Sequence, residues 1–375
     1  MPNTFRLFFI SFLFLLIQQS IFAQQLDDKP VRFVMVGLSH GHSHWIFQKQ
    51  FQGDFELAGV YESDSQLVDQ FKKTYRLKDD LFFSDLDRML DEVQPEGALA
   101  FGPISEHLNV VRSCAPRGIH VMVEKPLAFD VSHAREMETL AKTHKIHLLT
   151  NYETSWYPTT DAILRFFSEP KDDLGPIRKA VFHHGHRGPK EIGVGPEFLT
   201  WLTDPDKNGA GALIDFGCYG ANIMTALIKG ERPVSIMALA QTHKPDIYPL
   251  VDDEASILIE YKDAQAIIQA SWNWPFDRKD MEVYGANGYC IALDREKLKA
   301  RFKGQATEEL NLIYAKDTGT IANPFEYFVD VIRGDLKIGE YGLYSLENNL
   351  LVVEILSAAM ESAKTGKRIY LTGKN

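Results

Sequence analysis

Residues 118–126 read Gly118-Ile119-His120-Val121-Met122-Val123-Glu124-Lys125-Pro126, and the fold turns on how this stretch is taken. The apolar run to Val123 is the length of one short buried strand. Pro126 has no N–H to donate to a ladder, so the strand stops before it. Lys125 then stands at a strand end, and strand ends face the ligand crevice in an open α/β sheet. Its ammonium offers three donors and a charge, which suits a substrate hydroxyl or a ribose. The competing reading is a lysine in an ordinary surface turn, and the neighbouring segments decide between the two.

Those segments alternate between strand and helix. Val31–Val36 reads as a strand, followed by the turn Gly37-Leu38-Ser39-His40-Gly41-His42-Ser43-His44 and a helix from Trp45. Further strands are expected at 55–61, 97–101, 121–123 and 146–150, with helices over 66–74, 85–92, from His107, and over 131–144. Such alternation implies parallel β-α units and a doubly wound sheet over residues 31–150. A strand, a glycine-bearing turn and a helix make a phosphate cradle. The fingerprint G-x-G-x-x-G is incomplete, because Ser39 holds the middle place and Gly41 comes one residue early. Glu62 ends the second strand 21 positions after Gly41, where an acid accepts from ribose hydroxyls and repels a 2′-phosphate. NAD is therefore expected rather than NADP.

The 375 residues suffice for two domains, and the net charge of −11 argues against a nucleic-acid partner. Arg6 followed by the apolar run Leu7–Ile17 and by Ala23 reads as a signal peptide over 1–23, with a linker over 24–30. Export to the periplasm or outside the cell is expected, with no membrane attachment after cleavage. Cys114, Cys218 and Cys290 are odd in number and far apart, which is no disulfide framework.

Residues 151–375 change style. A helix at 160–167 and a strand at 177–183 precede closely spaced strands at 234–240, 255–261, 266–272 and 281–285, which suggests an antiparallel or mixed sheet. Helices at 324–332 and 346–363 and a short strand at 369–371 complete it. Within Gly209–Asn222, a glycine-rich approach leads to a helix expected from near Asp215. Spacings of four and three would put Asp215, Tyr219 and Asn222 on one face, lining a pocket. His183, His186 and Arg187 lie on or just after a strand beside that cleft, and Trp156 is a candidate for stacking on a sugar ring. His40, His42 and His44 alternate in a turn with no acidic residue nearby in the chain, so no metal site is expected. His44 is instead assigned to the cofactor site or to a helix cap.

Taken together, the strand-glycine-helix start, Glu124-Lys125-Pro126 and Asp215-x-Gly217 resemble the Gfo/Idh/MocA family, that of glucose-fructose oxidoreductase and inositol dehydrogenase. The resemblance runs from Val31 to Leu371, supported by Gly102-Pro103 with His107, Asp252-Asp253, Ser271-Trp272 and Leu346-Glu347-Asn348-Asn349. It implies an N-terminal Rossmann domain holding NAD(P) and a C-terminal α/β domain. The open sheet of the second domain would pack on another subunit of a homodimer or homotetramer. It implies a catalytic pair of Lys125 and a histidine from D-x-G-x-H-x-x-D. Here that motif reads Asp215-x-Gly217-x-Tyr219-x-x-Asn222. Two substitutes present themselves: Tyr219, with its pKa lowered by Lys125, or a histidine from 183–186.

The expectation is NAD-dependent hydride transfer at a sugar hydroxyl, with Lys125, Tyr219 and Asp215 catalytic. Gly37, Ser39, Gly41, His44, Glu62, Gly102, Pro103, His107, Glu124 and Lys125 would hold the cofactor. His183, His186, Arg187, Asn222 and Trp156 would meet the sugar. Export favours an alternative, a redox-neutral sugar-processing reaction with retained cofactor. A non-catalytic NAD- or carbohydrate-binding protein is the third reading.

Overall fold

The computed structural model describes residues 29–168, 174–312 and 323–371. The expected signal peptide and most of the linker lie outside them. The first sheet holds β1 (Val31–Val36), β2 (Phe55–Tyr61), β3 (Phe82–Phe83), β4 (Gly97–Ala100), β5 (His120–Glu124) and β6 (Leu148–Asn151). All are parallel, in the order β3-β2-β1-β4-β5-β6. The order reverses between β1 and β4, so a crevice opens at the carboxyl ends of those two strands. Gly37 follows β1 at φ +85°, and a Cβ there would stand 2.8 Å from the Gly102 nitrogen after β4. Only glycine lets the two loops close on each other in this way.

The helices are α1 (Ser65–Tyr75), α2 (Leu86–Val93), α3 (His107–Cys114), α4 (Val131–His144), α5 (Pro158–Ser168), α6 (Pro196–Leu202), α7 (Gly217–Leu227), α8 (Pro324–Arg333) and α9 (Leu346–Thr365). Asp64, Asp85 and Asp130 cap α1, α2 and α4, their carboxylates accepting first-turn N–H groups. The helix expected from Trp45 is instead a 3-10 turn over Gly41–Phe47. The His40 ring accepts the His42 N–H, and rings lock the turn: Trp45 stacks on His42, and Phe47 stacks on Tyr75.

The second sheet runs β14 (Glu308–Asn311), β13 (Lys297–Arg301), β12 (Tyr289–Ala292), β11 (Arg278–Gly285), β7 (Ile177–Gly185), β10 (Gln265–Ser271), β9 (Glu254–Glu260), β8 (Ser235–Gln241), β15 (Ile369–Tyr370). Among the described residues of this sheet, only β7 and β10 pair in parallel. One face packs Phe182, Ile257 and Ile268 beneath α7 and α9, where Leu356 is fully buried. The other face is open and shows Met237, Leu239 and Leu258. The tail then returns to the first domain. Phe325 and Phe328 of α8 are fully buried there, with Phe328 stacked on Phe33 of β1.

Asp215 does not open a helix. It ends a short turn, Ala212–Asp215, the chain breaks at Phe216, and α7 starts at Gly217. Asp252 caps the start of this turn. Its carboxylate accepts Gly211 N–H at 2.8 Å and Leu213 N–H at 2.7 Å, and its carbonyl accepts Ala212 N–H at 3.0 Å. A Cβ on Gly211 would lie 1.8 Å from that carbonyl oxygen. Gly211→Ala is expected to lower unfolding stability by roughly 1–3 kcal/mol or more. The neighbouring Ala210→Gly should cost about 1 kcal/mol or less in urea titrations. Equal losses in the two would show that the Asp252 contact does not shape this turn.

Candidate active site

Lys125 lies just past β5 and is 6% exposed. Its ammonium donates to the Asp215 carboxylate and, at 3.0 Å, to the Asp215 carbonyl. Trp272 holds the other carboxylate oxygen through its indole N–H at 3.0 Å. Burial alone would push the Lys125 pKa down and the Asp215 pKa up, yet each partner outweighs it, so lysine is held above and aspartate below its usual range. Glu124 is also buried. It accepts from Asn151 Nδ2 at 2.7 Å and from His42 Nδ1 at 3.1 Å. Burial opposes its ionisation, but His42, His40 and Asn151 bring it down to about 2.

The crevice at the reversal point is a cavity of about 550 Å³. Gly37, Ser39, Glu62, Gly102, Pro103 and His107 line it, which gathers six of the ten expected cofactor residues. Glu62 is fixed by accepting Leu38 N–H and Asp64 N–H, each at 2.9 Å. Glu106 also lines this cavity, and burial and Glu62 raise its pKa. Two neighbouring carboxylates suit ribose hydroxyls and repel a 2′-phosphate. The outer wall is α6, whose Trp201 donates to Ser39 Oγ at 3.0 Å. The glycine turn, the close backbone approach and the paired acids fit a dinucleotide.

The other four stand apart from this cavity. Gly41 faces the Phe198 ring, and His44 stacks on Phe71 and bonds the Tyr75 hydroxyl at 2.6 Å. The 3-10 turn aims His44 at α1 instead of the crevice. Glu124 and Lys125 lie deeper, toward Asp215.

Tyr219 packs beneath the lysine, whose ammonium is 5.2 Å from the ring centroid. The expected lowering of its pKa is reversed. Complete burial, with Glu153, Cys218, Asp215 and Glu124 around it, raises it well above the ordinary phenol value. Lys279 of β11 lies over the same ring at 5.5 Å and pairs with Glu153. Both line a second cavity of about 590 Å³, together with His186. Glu153 follows the end of β6 and, against its burial, is held at about 2 by Lys279, His42 and the Tyr157 hydroxyl. The strand-end argument used for Lys125 applies equally to Glu153. Lys279 carries no such signal, since only the β11–β7 register sets it opposite His184.

The other expected sugar contacts scatter. His183 points to the open face, bonding Gln269 at 3.0 Å, because strand side chains alternate. His184 faces inward instead and is buried beside Tyr219. Arg187 is exposed. Asn222 is fully buried on the far side of α7, donating to Leu343 O at 2.8 Å and to Asn349 at 3.3 Å. Its helical spacing from Asp215 fails because the helix starts after Asp215. Trp156 is buried, stacked on Tyr344 and bonded to Asn151.

The fold also supplies the acid that the chain order lacked near the histidines. Ligand atoms of His40, His42 and Glu124 lie within 4.8 Å of one another. His40 Nδ1 accepts a backbone N–H, so the neutral ring carries its proton on Nε2 and has no lone pair left for a metal. The trio is a hydrogen-bonded carboxylate, not a metal cage.

A Rossmann domain joined to a mixed open sheet, with a lysine–aspartate pair between them, defines a nucleotide-dependent oxidoreductase class. Residues 31–152 match the GFO/IDH/MocA oxidoreductase family with its NAD-binding Rossmann fold, and residues 171–291 match a GFO/IDH/MocA C-terminal domain. The chain belongs to this family. It is similar to trans-1,2-dihydrobenzene-1,2-diol dehydrogenase of Xenopus laevis, 28% identical over 44% of this chain and 46% of the relative. The chain spans about half the length of such dihydrodiol dehydrogenases. In fold it is similar to an inositol dehydrogenase homologue complexed with NAD+ from Azotobacter vinelandii, at TM-score 0.77 and 20% identity over 92% of this chain and 98% of that one. It is likewise similar to aldose-aldose oxidoreductase from Caulobacter crescentus complexed with glycerol, at TM-score 0.75 and 19% identity over 92% and 100%.

Asn222→Leu is expected to cost about 1–3 kcal/mol by stranding its buried partners, while substrate KM stays unchanged. A raised KM at intact stability would return Asn222 to the substrate site. A second expectation concerns acid. Burial lowers His40, His107 and His184 from 6.5 to about 3, 4 and 3. The unfolded chain binds these protons below pH 6.5 and the folded chain does not, so stability is full above 6.5 and falls toward pH 4. Each such histidine adds a slope of up to about 1.4 kcal/mol per pH unit. Urea midpoints across that range should show a shallower slope for His184→Phe.

Proposed function

We propose that the protein is an NAD-dependent oxidoreductase acting on a hydroxyl-bearing carbon of a sugar or sugar derivative. The observation that carries this is the buried Lys125–Asp215 pair, which joins the end of β5 in the nucleotide domain to the turn before α7 in the second domain. Gly37, Ser39, Glu62, Gly102, Pro103 and His107 would hold NAD, which when bound accepts or donates hydride. Lys125 stays an ammonium, so it donates to the substrate oxygen and stabilises negative charge there. Asp215 orients it.

The proton needs another acceptor. Tyr219 stays protonated. His186 Nδ1 accepts the Gly188 N–H at 2.9 Å, which puts the proton of its neutral ring on Nε2. His42 has the opposite arrangement. Its Nδ1–H donates to ionised Glu124, leaving the Nε2 lone pair for a proton, the carboxylate-oriented base seen in catalytic triads. We assign proton uptake to His42.

A second reading keeps the cofactor bound and returns the hydride within each cycle. The α6 wall, tied by Trp201 to Ser39 of the glycine turn, supports it. Export of the protein, inferred from residues 7–23, would make such retention useful. The open face carrying Met237, Leu239 and Leu258 is assigned to a second copy of the chain, giving a homo-oligomer.

Lys125→Met is expected to lower kcat/KM by about 10²–10³-fold while NAD binding persists. His42→Ala should lower kcat, and Tyr219→Phe should leave it within a few fold. Loss of turnover in Tyr219→Phe with His42→Ala active would reverse the proton assignment. NAD released on denaturing the purified protein, with no net absorbance change at 340 nm during sugar conversion, would select the second reading. Bound NAD with no conversion of any sugar would instead fit a binding protein.

A further inference from the structure

We infer that Lys279 and Glu153 form a second lysine–carboxylate pair that grips a further hydroxyl of the sugar whose reacting hydroxyl meets Lys125 and Asp215. This rests on the oxidoreductase reading above and adds the residues that set its specificity. The two pairs flank one aromatic platform. The Lys125 and Lys279 ammonium groups lie 5.2 and 5.5 Å from the Tyr219 ring centroid, and each is tied to a carboxylate of its own. They come from opposite domains, Lys125 after β5 and Lys279 on β11.

A hydroxyl donates one hydrogen bond and accepts others. A lone ammonium can only donate to it, and a lone carboxylate can only accept. A lysine–carboxylate pair does both, so two such pairs match two hydroxyls. Glu153 is steadied by the Tyr157 hydroxyl on Oε1 at 2.7 Å. Carboxylate lone pairs remain, since two oxygens present about four acceptor sites. The cavity that Glu153 and Lys279 line, about 590 Å³, also shows His186, Arg278, Asp294 and Arg295. That volume and polarity suit a ring with several hydroxyls.

The side chains of the pair are 24% and 27% exposed, so both stay open to the cavity they line. A purely structural pair would be replaceable by apolar groups without functional loss.

The test uses methyl β-D-glucopyranoside, methyl β-D-galactopyranoside and myo-inositol, each with an unbroken run of secondary hydroxyls, and single-deoxy analogues of whichever reacts. Wild type, Lys279→Met and Glu153→Gln are compared by kcat and KM, and by calorimetric titration of the same compounds as a readout without turnover. In wild type, one deoxy position away from the reacting carbon should lose about 10–100-fold in kcat/KM. In both variants that penalty should shrink to within about threefold, with the other deoxy penalties unchanged and the calorimetric affinities following. Glu153→Gln keeps the side-chain volume, so its thermal unfolding identifies any misfolding. Variants that keep the full deoxy penalty, or that lose only stability, overturn the inference while the oxidoreductase reading stands. A wild type that turns over sugars with no deoxy position discriminated does the same. A wild type that binds NAD but oxidises and binds none of the three parents overturns both.

Discussion

One ion pair holds the two halves of the site in register. Lys125 belongs to the nucleotide domain and Asp215 to the turn that leads into α7 of the second domain. Both are buried, so separating them would leave two charges without water, at a cost far above that of an exposed pair. Trp272 and the Asp252 cap fix the aspartate from behind. Where this contact holds, the Tyr219 platform, the second cavity and the nucleotide crevice take fixed positions around it.

The electrostatic design is economical in protons. Glu124, Glu153 and Asp215 are all held ionised against burial by nearby donors and cations. Tyr219 is correspondingly kept neutral, since ionising it would set a phenolate among these acids. Replacing the expected histidine by tyrosine therefore removes a titrating group and leaves an apolar floor. The histidine proposed for proton uptake, His42, stands on a turn where the usual fingerprint would place a glycine.

Much of this was legible in the residues, and the failures have physical causes. A strand ending in proline located Lys125, and a spacing of 21 residues located Glu62, because both depend only on local chain geometry. Asp215, Tyr219 and Asn222 were misread as one face because helical spacing assumes an unbroken helix. The chain is interrupted at Phe216, which the spacing alone does not report. His42 beside Glu124, and Glu153 beside Lys279, arise only when strands far apart in sequence pair, which no local pattern reports. The strands β12 to β14 are only four or five residues long, so their alternation carried little weight.

The return of α8 to the first sheet has a bearing on biosynthesis. Phe325 and Phe328 complete the apolar core around Phe33, so the nucleotide domain stays unfinished until those residues have left the ribosome. The domain translated first is thus completed only after strands β7 to β14 of the second sheet have been made. A chain cut anywhere before residue 324 would leave bare aromatic surface on its amino-terminal lobe, and such a fragment is a substrate for chaperones and proteases.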